Sequence, residues 1–363
     1  MTYAFAAAGT GGHVYPALAV ADALVADGVS RDHIVFFGGD RMEATTVPAA
    51  GYPFVQVPLR GLKRSLSLSN LTIPAVVRRA TAQITAAMVE RRTSVMTVFG
   101  GYVSVPAAIA GRRTGAAVFL HEQNADPGLA NRFVASRLGG GRGVTSFVAF
   151  PAATRRLKRA EVVGNPLRAD LAGFDRTELR EAARRRYDLP ADVTVLGVVG
   201  GSLGARVLNE VTVRIADGVD PERTAIVHLT GTGHGDSVTP LADRSATVWR
   251  VHPFESEMQY FYAASDLVLS RGGALTISEL AATGTPAVVV PLVEHQAANA
   301  AYLADAGGVV IVSGDDIDRV PVEVEQLLVD DERRLRMGAA NRSHARPDAA
   351  AVMARALRKA AHD

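Results

Sequence analysis

Four short glycine-rich stretches gather most of the residues in this sequence that can do chemistry: Gly9-Thr10-Gly11-Gly12-His13, Gly100-Gly101-Tyr102, Gly200-Gly201-Ser202 and Gly272-Gly273. The last runs into Ala274, Leu275 and Thr276 at helical spacing, with Glu279 one to two turns further on. Glycines let a ligand approach the backbone, the first helical N–H groups lack partners, and the helix dipole puts partial positive charge there. An anion such as a diphosphate fits. A carboxylate at Glu279 can accept both hydrogen bonds of a vicinal diol, as a ribose offers; a glutamate there is equally a solvated acid in the favourable first half of a helix. Gln296 and Asn299, three apart on the next helix, either join that site or are ordinary surface amides. Together the residues point to a nucleotide.

His13 is the only titratable side chain in its loop. It is either a hydrogen bonder at a helix start or a functional group at the carboxyl end of a strand, where open α/β sheets place ligands. His121-Glu122-Gln123-Asn124 follows another apolar run, and polar residues that dense at a strand end are costly unless something uses them. As a dinucleotide fingerprint the first glycine loop is incomplete, because the third glycine position holds Val14 and the acid after the second strand, Asp40, comes later than the usual spacing of about 20 residues.

The elements that must position these residues alternate. Strand 3–8 leads to the first glycine loop and a helix from Pro16 to Ala26 with proline in its first turn; strand 95–98 leads to the second loop; strand 117–120 delivers the polar cluster. The segment Val163-Gly164-Asn165-Pro166 reads as a boundary. Beyond it the alternation restarts, with strand 193–199 opening onto Gly200-Gly201-Ser202 and an apolar run ending at Ser270 opening onto Gly272-Gly273. Each half thus has its own strand, glycine loop and helix, the organisation of two doubly wound Rossmann-like domains facing a cleft.

The chain has 363 residues and 48% hydrophobic content, enough for two cores. A net charge of +2 from nearly balanced acids and bases gives no nucleic-acid footprint, and the absence of cysteine excludes a cysteine metal or disulfide framework. No apolar run approaches the roughly 20 residues needed to span a bilayer, so membrane contact is expected to be peripheral. Residues 59–92 interleave Leu66, Leu68, Leu71, Ile84 and Met88 with Lys63, Arg64, Arg78, Arg79, Arg91 and Arg92. That pattern suits a core helix with snorkelling arginines or a face laid on an anionic membrane. Asp316-Ile317-Asp318 reads as a turn and helix start rather than a metal site.

With these residues in view, the sequence resembles the MurG family of family B (GT-B) glycosyltransferases, which make lipid II from lipid I with UDP-N-acetylglucosamine. The resemblance rests on Gly9 to His13, Phe99 to Pro106, His121 to Asn131, Val163 to Arg168, Gly200 to Arg206 and the stretch with Glu279 and Gln296, and covers nearly the whole length. It implies an α/β GT-B fold with a membrane-associating acceptor domain over 1–163, a donor domain over 164–345 and a terminal helix over 346–363 crossing back. It implies donor contacts from Thr10, Gly11, Gly12, Arg168, Gly201, Ser202, Ala274, Leu275, Thr276 and His295, ribose contact from Glu279, sugar contact from Gln296, and Phe254 and Met258 near the uracil. His13 and Asn124 would stand at the reacting groups, and Gly100, Gly101, Tyr102 and Ser104 on the acceptor side. No cofactor or metal is implied, and the location would be the cytoplasmic face of the plasma membrane.

An acceptor hydroxyl has a pKa far above 7, so an inverting displacement at the anomeric carbon needs a base, and His13 is the candidate. Three stretches depart from the family pattern: Ala7-Ala8 stand where at least one more glycine is usual, Leu203 replaces a usual glutamine, and His295 a glutamine of some members. They leave open a paralogue acting on another lipid-linked or natural-product acceptor. A catalytically silent sugar-nucleotide-binding subunit and a non-hydrolysing epimerase on the same fold also remain open.

Overall fold

The apolar runs that end in glycine form the inner strands of two parallel sheets. A computed structural model describes residues 1–58, 73–138, 143–157, 159–201 and 204–362. The chain divides into one unit comprising Met1–Arg168 with Asp348–Asp363, and a second comprising Ala169–Pro347. The first contains β1 (Thr2–Ala6), β2 (Ile34–Gly38), β3 (Phe54–Gln56), β4 (Thr93–Val98), β5 (Ala117–Glu122), β6 (Val144–Val148) and β7 (Glu161–Val162), in the order β3-β2-β1-β4-β5-β6-β7. The second contains β8 (Thr194–Val199), β9 (Thr224–Leu229), β10 (Val248–His252), β11 (Leu267–Ser270), β12 (Ala287–Val289) and β13 (Val309–Ile311), in the order β10-β9-β8-β11-β12-β13. Both are the doubly wound order, whose direction of winding reverses between β1 and β4 and between β8 and β11.

Alternation along β1 shows why the first sheet is buried on both faces. Tyr3 and Phe5 point to a core with Phe36 and Phe99, covered by the helices Gly11–Ala26 and Ala349–His362. Ala4 and Ala6 point to the opposite core, covered by Ile73–Glu90 and Ser104–Thr114. Phe5 lies opposite Phe36 in the parallel register, with ring centroids 5.1 Å apart. Each such ring, fully buried, is worth about 1.5–3 kcal/mol. In the second unit Leu196, Val198, Leu267, Leu269 and Val288 pack with Leu208, Val211 and Ile215 of the helix Arg206–Gly218.

Several sequence expectations change. The first helix starts at Gly11, so Pro16 lies inside it and His13 is in its first turn. Gly11 and Gly12 read as loop because glycine is a poor helix former, but the first turn keeps only orphan N–H groups and tolerates them. Val163 to Pro166, read as a boundary, belongs to the first unit, which runs to Arg168: the Gly164 carbonyl accepts from His121 Nε2 at 2.9 Å, and Asn165 Nδ2 donates to the Gln123 carbonyl at 3.3 Å. In the helix Ile73–Glu90, Ala80, Ile84 and Met88 are buried while Arg78 and Arg79 are exposed, so that apolar stripe is core. Lys63, Arg64, Leu66, Leu68 and Leu71 lie outside the described residues. Asp316 and Asp318 fall in a 3-10 helix, Gly314–Arg319, and Asp318 pairs with Arg214 at 2.6 Å. Among the described residues no helix is long and apolar enough to cross a membrane.

Candidate active site

All four glycine loops leave the carboxyl ends of the strands at the two switch points: after β1 and β4 in the first unit, after β8 and β11 in the second. That is where a doubly wound sheet opens a crevice for a ligand.

In the first unit the half-buried His13 turns its Nδ1 to the Ala8 carbonyl at 3.0 Å, with Thr10 Oγ1 at 3.4 Å. Burial pulls its pKa below the ordinary histidine value, against the opposing influence of Glu122, the Ala8 carbonyl and Glu43. A carbonyl only accepts, so in the neutral ring Nδ1 carries the proton and Nε2 keeps its lone pair. A Cβ at Gly100 would stand 2.9 Å from Nε2, so glycine at 100, with φ +100°, leaves room beside that nitrogen. His13 is therefore held as a neutral imidazole with Nε2 unprotonated.

Two buried carboxylates build the walls around it. Glu43 accepts from Gly9 N at 3.1 Å, Gly39 N at 2.9 Å and the Tyr102 hydroxyl at 3.1 Å, tying the loops after β1, β2 and β4 together. Burial and this carboxylate push the Tyr102 phenol up to about 12, so it stays a donor. Any side chain at Gly39 would collide with the Tyr102 hydroxyl, 2.1 Å from the Cβ position. Glu122 accepts from Asn124 N at 2.9 Å, Asn124 Nδ2 at 3.2 Å, Gly128 N at 3.0 Å and Asn131 Nδ2 at 2.9 Å. It thereby shapes the loop that carries Asn124. His121 is held neutral inside, its pKa lowered by burial to about 4. Ser104 is fully buried and its Oγ accepts from Gly100 N at 2.9 Å, so its hydroxyl serves the shape of the loop. Thr10 is exposed at the helix start, and Gly11, Gly12 and Gly101 are partly exposed beside it. Arg168 is the last residue of the first unit and half-buried.

In the second unit Gly201 and the turn Arg271-Gly272-Gly273 sit side by side, with the Arg271 guanidinium 2.8 Å from the Cβ position of Gly201. Ser202 and Leu203 lie outside the described residues. The helix Ala274–Thr283 starts from Gly273 with no side-chain cap, and Ala274, Leu275 and Thr276 form its partly exposed first turn. Glu279 lies half-buried in the second turn, its Oε2 accepting from the Tyr262 hydroxyl at 2.8 Å. Gln296 is buried, with Oε1 accepting from Leu292 N at 2.9 Å. Its neighbour His295 is exposed, and Asn299 Nδ2 donates to the Gly272 carbonyl at 3.1 Å. Phe254 is exposed and Met258 half-buried. The intervening Glu255 receives Arg186 through two bonds of 3.0 Å and Tyr187 at 2.7 Å, anchoring that loop.

The structure thus brings together His13, Gly100, Gly101 and Tyr102 in one cluster, and Gly201, Ala274, Thr276, Glu279 and Gln296 around the second switch point. Residue-type reasoning passed over Glu43, Tyr262 and Arg271. Only Arg271 carried a signal, as a cation directly before a glycine pair at a strand end.

The sequence matches the glycosyltransferase family 28 N-terminal domain over residues 3–139 and the family 28 C-terminal domain over residues 195–353. The chain belongs to glycosyltransferase family 28. This family 28 chain is 39% identical to the UDP-N-acetylglucosamine:N-acetylmuramyl-(pentapeptide) pyrophosphoryl-undecaprenol N-acetylglucosamine transferase of Clavibacter sepedonicus, over 99% of this chain and 96% of the relative. It is 40% identical to the protein of the same name from Salinibacter ruber, over 96% of this chain and 93% of that one. The crystal structure of Acinetobacter baumannii MurG superposes with a TM-score of 0.75 at 28% identity, covering 99% of this chain and all of that one, 100%. The two parallel-sheet units are those of the GT-B fold. Within the family 28 chain the first match contains the His13, Tyr102 and Glu122 clusters, the second contains Gly201, Glu279 and Gln296, and Arg168 falls between them.

Proposed function

We propose that this chain is an inverting glycosyltransferase that moves N-acetylglucosamine from UDP-N-acetylglucosamine to the C4 hydroxyl of lipid I, forming lipid II for peptidoglycan. The observation that carries the reading is that likeness to relatives named for that transfer runs through both units, over 99% of the chain. The donor belongs to the second unit. Backbone N–H groups at Gly201 and at the start of Ala274–Thr283 face the charge that grows on the departing diphosphate, and the Arg271 guanidinium beside Gly201 adds a cation. Glu279 takes the ribose diol and Gln296 the sugar. In the first unit, Nε2 of His13 accepts the acceptor hydroxyl's proton as the new bond forms, and Asn124 and Tyr102 orient the acceptor.

The diphosphate's charge is met by these N–H groups and the Arg271 guanidinium, so the reaction is proposed to run without a metal. A lipid-linked acceptor and the exposed Arg78 and Arg79 support a peripheral position on the inner face of the plasma membrane. The test is UDP release from a panel of UDP-sugars, with and without a lipid I analogue, in the presence of chelator. Release from UDP-N-acetylglucosamine only with the analogue is expected. Binding without release, or release with another sugar or acceptor, would replace the reading with a silent subunit or a paralogue.

A further inference from the structure

Tyr262 is fully buried on the helix Met258–Ala264, with the Phe261 ring edge-on at 5.3 Å and 76°. A phenol buried among apolar groups needs a partner for its O–H. Here the partner is not a core carbonyl but the carboxylate of Glu279, half-buried at the second switch point, at 2.8 Å. Burial, followed by the charge of Glu279, holds the Tyr262 pKa well above its ordinary value, so the phenol keeps its proton and donates it to the carboxylate, which has none to give. The hydrogen bond therefore has one direction: the rigid core reaches out and fixes a carboxylate at the edge of the site.

A vicinal diol presents two O–H donors at fixed spacing, and a carboxylate receives both only when its plane is set correctly. Glutamate has three rotatable side-chain bonds, and ordering them at the moment of binding costs affinity; a residue that orders them beforehand removes that cost. We propose that Tyr262 is a positioning residue of the donor site, holding the Glu279 carboxylate in the orientation that receives the 2′ and 3′ hydroxyls of the donor's ribose. This rests on the ribose role assigned to Glu279. The consequence is selectivity for a ribonucleotide over a deoxyribonucleotide donor, expressed in KM and not in kcat, because the ribose is remote from the reacting bond.

The experiment measures KM and kcat for UDP-N-acetylglucosamine and for its 2′-deoxy analogue in the full-length enzyme and in Tyr262→Phe, Glu279→Asp and Glu279→Ala. Tyr262→Phe should raise KM for the ribo donor roughly 3- to 10-fold, the scale of one ordinary hydrogen bond, with kcat within about twofold and little change for the 2′-deoxy donor. A shift equal for both donors, or none, in an enzyme whose KM still depends on Glu279 overturns the positioning role and leaves the ribose role intact. If Glu279→Ala changes neither KM nor the ribo preference, the ribose role itself fails. Glu279→Asp keeps the charge on a surface helix but withdraws it from the phenol's reach, so it serves should Tyr262→Phe not fold. It should lose the ribo preference as fully as Glu279→Ala, and an aspartate enzyme with wild-type preference would show that Tyr262 orients nothing.

Discussion

Which ring nitrogen of His13 holds the proton decides what that residue can do. With Nδ1 donating to the Ala8 carbonyl, Nε2 is the basic atom, and Gly100 keeps space beside it. His13→Ala should therefore lower kcat by about 10²- to 10³-fold while the donor KM, set in the second unit, stays near that of the parent enzyme. The sign of the pH effect follows from the lowered pKa: the base works unprotonated, so activity is lost only as pH falls through a value below that of free histidine. The acid limb of kcat/KM should lie below about 6.5, with a plateau from pH 7 upward, and a limb above that value would remove His13 as the base. The candidacy of His13 is legible in the sequence, since it is the one titratable group in a glycine loop. Its tautomer is not, because the contact with Ala8 depends on the turn of the chain at Gly9, where φ is +101°.

Three loops of the first unit are tied together by a carboxylate that resembles an ordinary helix residue when read in sequence. Glu43 opens the seven-residue helix Glu43–Ala49, and nothing in its neighbours announces that Gly9, Gly39 and Tyr102 will converge on it. Those partners are 34, 4 and 59 residues away. Tyr262 stayed hidden for a different reason, since an aromatic within Phe261-Tyr262-Ala263-Ala264 reads as core, which it also is. The strands and glycine loops were readable because glycine after a β-branched run is a strong local signal, whereas a long-range hydrogen bond leaves none. Replacing Glu43 with glutamine puts an NH2 where either Oε1 or Oε2 now accepts, facing donors with a donor. Glu43→Gln should cost about 1–3 kcal/mol in urea denaturation and raise the acceptor KM more than the donor KM. Equal effects on both substrates would mean that the staple supports the unit as a whole and not the acceptor loops.

The terminal helix is the feature of the whole chain that composition alone could not place. Alanine- and arginine-rich, it has an apolar stripe, Met353, Ala354, Leu357 and Ala361, that fits any core. In the structure it packs beside Gly11–Ala26, with Arg358 bonded to the Asp27 carbonyl at 2.6 Å. Truncation before Asp348 should remove about 3–6 kcal/mol through Met353 and Leu357 alone, measured as a lower unfolding midpoint; an unchanged midpoint would make the helix an appendage. For the membrane, Arg78→Glu combined with Arg79→Glu should weaken binding to anionic vesicles. Undiminished binding would assign docking to some other surface. The discontinuity of the first unit also bears on synthesis. Its strands are made before the second unit, yet the helix that completes the cover of the Phe5 and Phe36 face is made only after all of 169–347. At about 5–20 residues per second, that interval is roughly ten seconds or more. Throughout it the Phe5 and Phe36 face of the nascent chain has the helix Gly11–Ala26 but not its second cover, so the length of the second unit sets how long that face stays half-covered.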